Sequence, residues 1–227
     1  DSYLDIDAPF VNLHTRGQYD LGTLYSSIQN IVADKLPTLP GIKKTKKRGD
    51  NDFTLQGNVY STEILQRIFG IQLDISSPIH INGNLSEQNE ELNLFVNAPL
   101  FSYNGKPFHN GNIEVTTQGK ELCMDAHVCQ GLSFEMAPEY ALRAKACDNV
   151  LNTKVNYDNH SKKLPVKGFL DAETQFGKNE HGMTSINMNV KPSHIMLGDT
   201  RWDVISSNIN YVKNHLSVDN FTVKHDN

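Results

Sequence analysis

Apolar and polar residues alternate over most of this chain, and this period of two constrains the fold more than any other feature. The alternating apolar residues are Phe53, Leu55, Gly57 and Val59; Ile79, Ile81, Gly83 and Leu85; Leu92, Leu94, Val96 and Ala98; Leu122, Met124, Ala126 and Val128. Successive side chains of a strand point to opposite faces, so this pattern is typical of a sheet with one apolar and one solvated face. Antiparallel strands give such alternation and buried parallel strands do not. The sequence therefore predicts a mainly β fold built as an elongated antiparallel sheet.

Turn-forming pairs separate the alternating runs and favour a meander, because Asn and Gly tolerate positive φ in tight hairpins. The pairs are Asn82-Gly83, Asn104-Gly105, Asn110-Gly111, Gln118-Gly119, Gln130-Gly131, Asp158-Asn159 and Lys213-Asn214. An Asn-Gly pair inside a strand would mark a bulge instead. Residues 140–146 suit either a helix or a strand.

Two segments depart from the period of two and predict amphipathic helices. Over residues 20–36 the apolar residues recur every three or four positions, with Asp20 as the N-cap and Pro37 as the stop. A shorter helix is predicted over residues 61–69, ending at Gly70. The apolar side of each helix is expected to lie on the apolar face of the sheet.

A basic run over residues 43–50 separates the two helices. Such a run is typical of a solvated, mobile loop. The sharper alternative is contact with anionic lipid headgroups, where each basic residue contributes about 1 kcal/mol.

Composition excludes several classes of protein. The net charge of −5 does not favour binding to nucleic acid. No apolar run approaches the roughly 20 residues of a membrane helix, so we expect no membrane span in these 227 residues. Because alternating runs reach both ends of the chain and no initiator Met is present, we expect a single β-rich segment, residues 1–227, of a longer protein.

Residues that carry chemistry are scattered. The nine histidines show no metal-binding spacing, no nucleophile elbow or phosphate loop is present, and we predict neither an enzyme nor a cofactor. Cys123 and Cys129 lie too far apart on one strand for a disulfide, which leaves one bridge to Cys147 or three free thiols.

Eight short blocks, in order along almost the whole chain, give it a resemblance to a known family. They are GQYDL at 17–21, LP at 36–37, FG at 69–70, PIHING at 78–83, APLFSYNG at 98–105, DNVL at 148–151, IMLGDTRW at 195–202 and VDNF at 218–221. In this order they resemble the C-terminal part of TamB-like proteins, the inner-membrane component of the translocation and assembly module, of the Bacteroidetes type. Gly198-Asp199 departs from the Asn-Asp that is commoner in the family, at a turn.

The resemblance implies a periplasmic, taco-like curved sheet with an apolar inner face, anchored in the inner membrane by a helix outside this segment. It also implies a role in outer-membrane protein assembly, in phospholipid transport between the membranes, or in both. The implied partners are lipid acyl chains or nascent outer-membrane β-strands, together with the outer-membrane barrel of the assembly module.

The first hypothesis is therefore a non-enzymatic hydrophobic groove. Its candidate residues are Leu92, Leu94, Val96, Leu122, Met124, Val128, Leu216 and Val218. For each of them, packing in an ordinary core or under the first helix is the alternative.

A second hypothesis is a closed β-sandwich that acts as an adhesion or carbohydrate-binding module, with Trp202 or Tyr103 on a flat face. A hydrolase would need a converging acid and base, which the sequence does not show.

Overall fold

The chain folds mainly as one open antiparallel sheet, which confirms the predicted fold class. The computed structural model describes residues 2–63, 66–67, 70–133, 136–180 and 182–225. Its elements are β1 (Tyr3–Ala8), β2 (Val11–Gln18), α1 (Leu21–Lys35), β3 (Asp52–Val59), β4 (Leu73–Ile75), β5 (Ile79–Ser86), β6 (Glu91–Tyr103), β7 (Lys106–Gln118), β8 (Glu121–Gln130), β9 (Glu139–Cys147), β10 (Val150–Asp158), β11 (Val166–Lys178), β12 (Thr184–Val190), β13 (Ser193–Leu197), β14 (Thr200–Ile205), β15 (Ser207–Val212), β16 (His215–Asp219) and β17 (Thr222–His225).

The seventeen strands form a simple meander in which neighbours in sequence are neighbours in space. Four pairs of strands are collinear. Both β4 and β5 lie along β6, and both β12 and β13 lie along β11. The pair β14 and β15 lies along the pair β13 and β12, and the pair β17 and β16 lies along β14 and β15. The sheet is therefore thirteen strands wide, with β1 at one edge and β16 and β17 at the other. The described strands form this one sheet, and not the two packed sheets of a closed β-sandwich.

Directly opposed residues of antiparallel strands share a face, so the strand registers sort the residues into rows across the sheet. One face is apolar. Its middle row, which we call the open row, runs through Ile6, Leu13, Gly57, Ile81, Val96, Ile113, Ala126, Leu142, Val155 and Leu170. The opposite face carries mostly amides, imidazoles and charged groups.

Helix α1 confirms the first predicted helix. The Asp20 side chain caps it by accepting a hydrogen bond from the Gly22 amide at 2.8 Å. Its end, with Leu36, packs on Ala146 and Phe176 of the apolar face, and this cluster is the core of the molecule. In the second predicted helix, Ile64, Leu65, Ile68 and Phe69 lie outside the described residues. The amides of Gln66 and Gly70 do make helical hydrogen bonds, of 3.1 and 3.0 Å.

The orientation of α1 differs from the prediction over its first two turns. Leu21 and Tyr25 are 71% and 74% exposed, while Thr23, Ser27 and Asn30 on the opposite side are buried. The physical reason is a buried carboxylate. Ser27 donates a hydrogen bond to Glu87, and Asn51 bonds both Ser27 and Thr23, so the polar side of α1 must face this cluster.

The basic run leaves α1 and returns along it. Its charged side chains are exposed, yet Thr45 donates its amide to Asn30 Oδ1 at 2.8 Å and Lys47 donates to the Gly22 carbonyl at 2.7 Å. Lys44 pairs with Asp34. The segment is thus solvated and also held to the helix.

Five of the seven predicted turns are turns, and two lie inside strands. Residues 82–84 lie inside β5 in regular register, so Gly83 belongs to the floor of the apolar face. Asn110, with φ of 52°, marks a bulge in β7. Residues 140–146 form part of strand β9.

Candidate binding site on the apolar face

The apolar face is covered at one end of its strands and open at the other. Next to α1, Leu85, Ala146, Thr174 and Phe176 are buried. The open row lies farther along the same strands, and every residue in it except Gly57 is half-buried or exposed. Because α1 crosses the strands near one end only, most of the row has no covering element among the described residues.

The open part of this face includes an apolar concavity of about 400 Å³. Its lining side chains come from β6 to β10 and include Val96, Ile113, Val128, Tyr140 and Val155. Ile113 is 40% exposed. A wide, shallow and mostly apolar surface of this kind suits an apolar ligand.

Aromatic side chains line the rim of the concavity, and the bulge in β7 explains their position. At His109 the register of β7 with β8 shifts, and the buried His109 ring donates a hydrogen bond to the Gly131 carbonyl at 2.8 Å. Beyond this point Phe101 and Phe108 stack with ring centroids 5.5 Å apart. Tyr140 and Tyr157 lie 5.0 Å apart on the neighbouring strands.

The eight predicted groove residues all lie on the apolar face, in different surroundings. Leu92 and Leu122 lie at the end next to α1, and Leu122 packs against the core. Leu94 and Met124 occupy the next row and are half-buried.

Val96 and Val128 line the open concavity. Leu216 and Val218 are on the edge strand β16, 61% and 50% exposed. The structure thus brings together Val96 and Val128, while the other six are spread along the face.

Several lining residues escaped the sequence prediction. Ile113, Leu142, Val155 and Leu170 belong to the open row. The sequence signal for these residues is the same alternation of apolar and polar residues, in β7 and in β9 to β11. In β9 the signal is obscured because residues 140–146 also suit a helix. Trp202 and Tyr103, proposed for a flat glycan-binding face, lie on the apolar side, where Trp202 packs against His225 at 4.8 Å and Tyr103 lines the concavity.

The lining of the apolar concavity, among the described residues, contains no cysteine. Cys123, Cys129 and Cys147 are free thiols, and burial raises the pKa of each. Within the described ranges no group of His, Cys, Asp and Glu is arranged to hold a metal ion.

Comparisons with family models, with curated proteins and with solved structures give no match. Among the described residues, none of the helical segments has the length and apolar character needed to cross a bilayer.

Proposed function

We propose that this chain is a non-enzymatic carrier segment that binds lipid acyl chains along its open row. The observation that carries the proposal is the open row, most of which has no covering element in the part of the chain that the structure describes, on a sheet whose other face is polar. Large exposed apolar surfaces of soluble proteins usually mark interaction sites, because leaving them in water is unfavourable.

The chemistry of the face favours an acyl chain over a polypeptide. Outside the bulge of β7, the backbone N–H and C=O groups of β5 to β11 take part in ladders with neighbouring strands. A peptide laid on this face would therefore find few backbone partners, and each buried unpaired group costs several kcal/mol. An acyl chain has no polar groups to satisfy and gains about 0.8 kcal/mol for each buried methylene.

The length of the open row suits a path better than a pocket for one molecule. The row crosses ten strands, and at about 4.8 Å per strand it spans about 43 Å. One leaflet of a bilayer has acyl chains of about 15 Å, half of the roughly 30 Å hydrocarbon core. Because the row is chemically uniform, a bound chain can move along it without crossing a large barrier.

This role agrees with the resemblance to TamB-like envelope proteins. On that basis we propose that the segment lies in the periplasm, as part of an inner-membrane-anchored protein that supports phospholipid transport or outer-membrane protein assembly.

The edge strands favour a second candidate function, the binding of a polypeptide by strand addition. Each of β1, β16 and β17 pairs on one side only within the described part of the chain, so a nascent outer-membrane β-strand could extend the sheet there.

The test is the binding of cis-parinaric acid, a fluorescent fatty acid, to the purified chain and to two matched variants. Ile113 and Phe95 lie on adjacent strands, on opposite faces, and are 40% and 42% exposed. We expect Ile113→Asp to weaken binding at least about tenfold, because a carboxylate would interrupt the open row. Phe95→Asp should bind as the wild type does.

Mass spectrometry of an organic extract of the purified protein supplies an independent readout. Co-purified phospholipid that is depleted in Ile113→Asp would support the proposal. Failure of the wild-type chain to bind the probe, or equal binding by both variants, would contradict it.

A further inference from the structure

The polar face of the sheet carries a second concave surface, independent of the acyl-binding proposal. Its central row, which we call the amide row, runs through Asn58, His80, Asn97, Asn112, His127, Ala141, Asn156, Phe169 and His194. Any polar residues would be sufficient to keep one face of a sheet solvated. Here carboxamides and imidazoles fill most of nine successive positions.

Two concavities lie along this row. One, of about 550 Å³, is lined by residues of β3 to β9 that include His80, Asn97 and His127. The other, of about 320 Å³, extends over β10, β11 and β13 and includes Asn156 and His194. They share Glu139 and Ala141, and the small Ala141 side chain leaves the row open between them.

The amides of the row are held in place by one another. Asn97 donates to Asn112 Oδ1 at 2.7 Å, and His80 bonds Asn58. Asn112 also donates from Nδ2 to the Asn110 carbonyl at 3.1 Å. Each carboxamide has two N–H donors and an oxygen with two lone pairs, so these bonds leave further donors and acceptors for a ligand. Orientation by a neighbour reduces the entropy that a ligand must remove on binding.

An aromatic ring lies beside each concavity. Phe95 lines the first and is exposed among polar neighbours, where burial does not explain it. Phe169 lines the second, with its ring packed against His194 at 4.6 Å and Lys154 at 4.1 Å. The two rings lie five strands apart, about 24 Å at about 4.8 Å per strand.

Several charges around the row are paired, which bears on the class of ligand. Arg143 bonds Asp125 at 2.8 Å, and Glu139 accepts from both His127 and His160 at 3.1 Å. Glu114 lines the first concavity and Lys167 the second, so charges of both signs are interspersed along the row and favour neither a polyanion nor a polycation. A neutral ligand rich in hydroxyl groups matches the amides and the exposed ring of Phe95.

We propose that the amide row binds a neutral oligosaccharide, with Phe95 stacking on one sugar ring and Asn97 and Asn112 bonding its hydroxyls. The two faces of the sheet would then bind chemically opposite ligands.

The experiment is saturation-transfer NMR and calorimetry on the purified chain with five neutral probes, namely the hexasaccharides of cellulose, starch, chitin, mannan and xylan. A heparin hexasaccharide serves as the anionic comparison. We expect at least one neutral probe to bind at or below millimolar concentration. Phe95→Ala and Asn97→Ala should each weaken that binding about tenfold, and Ile113→Asp should leave it unchanged.

Circular dichroism and thermal unfolding would show that each variant is folded. Binding of none of the neutral probes by the folded wild-type chain would overturn the proposal. So would preferential binding of the heparin hexasaccharide, or neutral binding that both substitutions leave intact. Because Ile113→Asp tests the other face, loss of acyl binding and loss of sugar binding are distinguishable.

Discussion

At the scale of single residues, the buried carboxylate of Glu87 determines how α1 meets the sheet. Its Oε2 accepts hydrogen bonds from Ser27 Oγ at 3.0 Å, from the Gly49 amide at 3.1 Å and from the Asn51 amide at 3.3 Å. Helix α1 and the segment that leads into β3 thus converge on one oxygen atom. Removal of one member of a buried polar cluster leaves its partners unsatisfied, which costs more than the net value of the bonds.

We therefore predict that Glu87→Ala lowers the free energy of unfolding by about 2–4 kcal/mol. Equilibrium unfolding in urea measures this loss. The adjacent Gln88→Ala is the control, since Gln88 is exposed and its replacement should change stability by less than about 0.5 kcal/mol. Equal stability of the two variants would show that the cluster contributes nothing.

At the scale of elements, α1 shows where reasoning from sequence succeeds and where it fails. The spacing of Leu24, Ile28 and Ile31 is helical, and Asp20 caps the helix as expected. The side of α1 that is buried depends on Glu87 and Asn51. These residues are distant from the helix in sequence, and the periodicity of the helix carries no information about them. A helix-period pattern identifies the element, but its partner is a tertiary property.

Buried and exposed apolar residues of α1 should respond differently to truncation. Ile31 is 1% exposed, so Ile31→Ala should cost about 2–4 kcal/mol through lost burial and a residual cavity. Leu21→Ala, in the same helix, should change the unfolding free energy by less than about 0.5 kcal/mol because Leu21 is largely exposed. Urea unfolding followed by circular dichroism compares them. Similar losses would contradict the exposure of Leu21.

At the scale of the whole molecule, the meander was predictable and the division of its apolar face was not. Local alternation in segments such as Ile79–Ser86 identifies strands, and short turns place consecutive strands side by side. Nothing local distinguishes Leu122, which packs into the core, from Val128, which lines the open concavity. Both alternate in β8 in the same phase, and only the docking of α1 over one end separates them. The polar concavities escaped prediction for the same reason, since the lining of the first comes from six strands and that of the second from four.

An open sheet also predicts a gradient of stability across its width. Strands β7, β8 and β9 have neighbours on both sides, whereas β1 pairs only with β2 within the described residues. An edge strand opens by breaking one ladder, so its amides should exchange through local opening and not through global unfolding. Hydrogen exchange read by mass spectrometry should show β1, β16 and β17 exchanging at least about tenfold faster than β8, a difference of about 1.4 kcal/mol in opening free energy. Repeating the exchange over a series of protein dilutions is the control for association between copies. Protection of β1 equal to that of β8 at high dilution would contradict an open edge, and protection that disappears on dilution would indicate that two copies pair there.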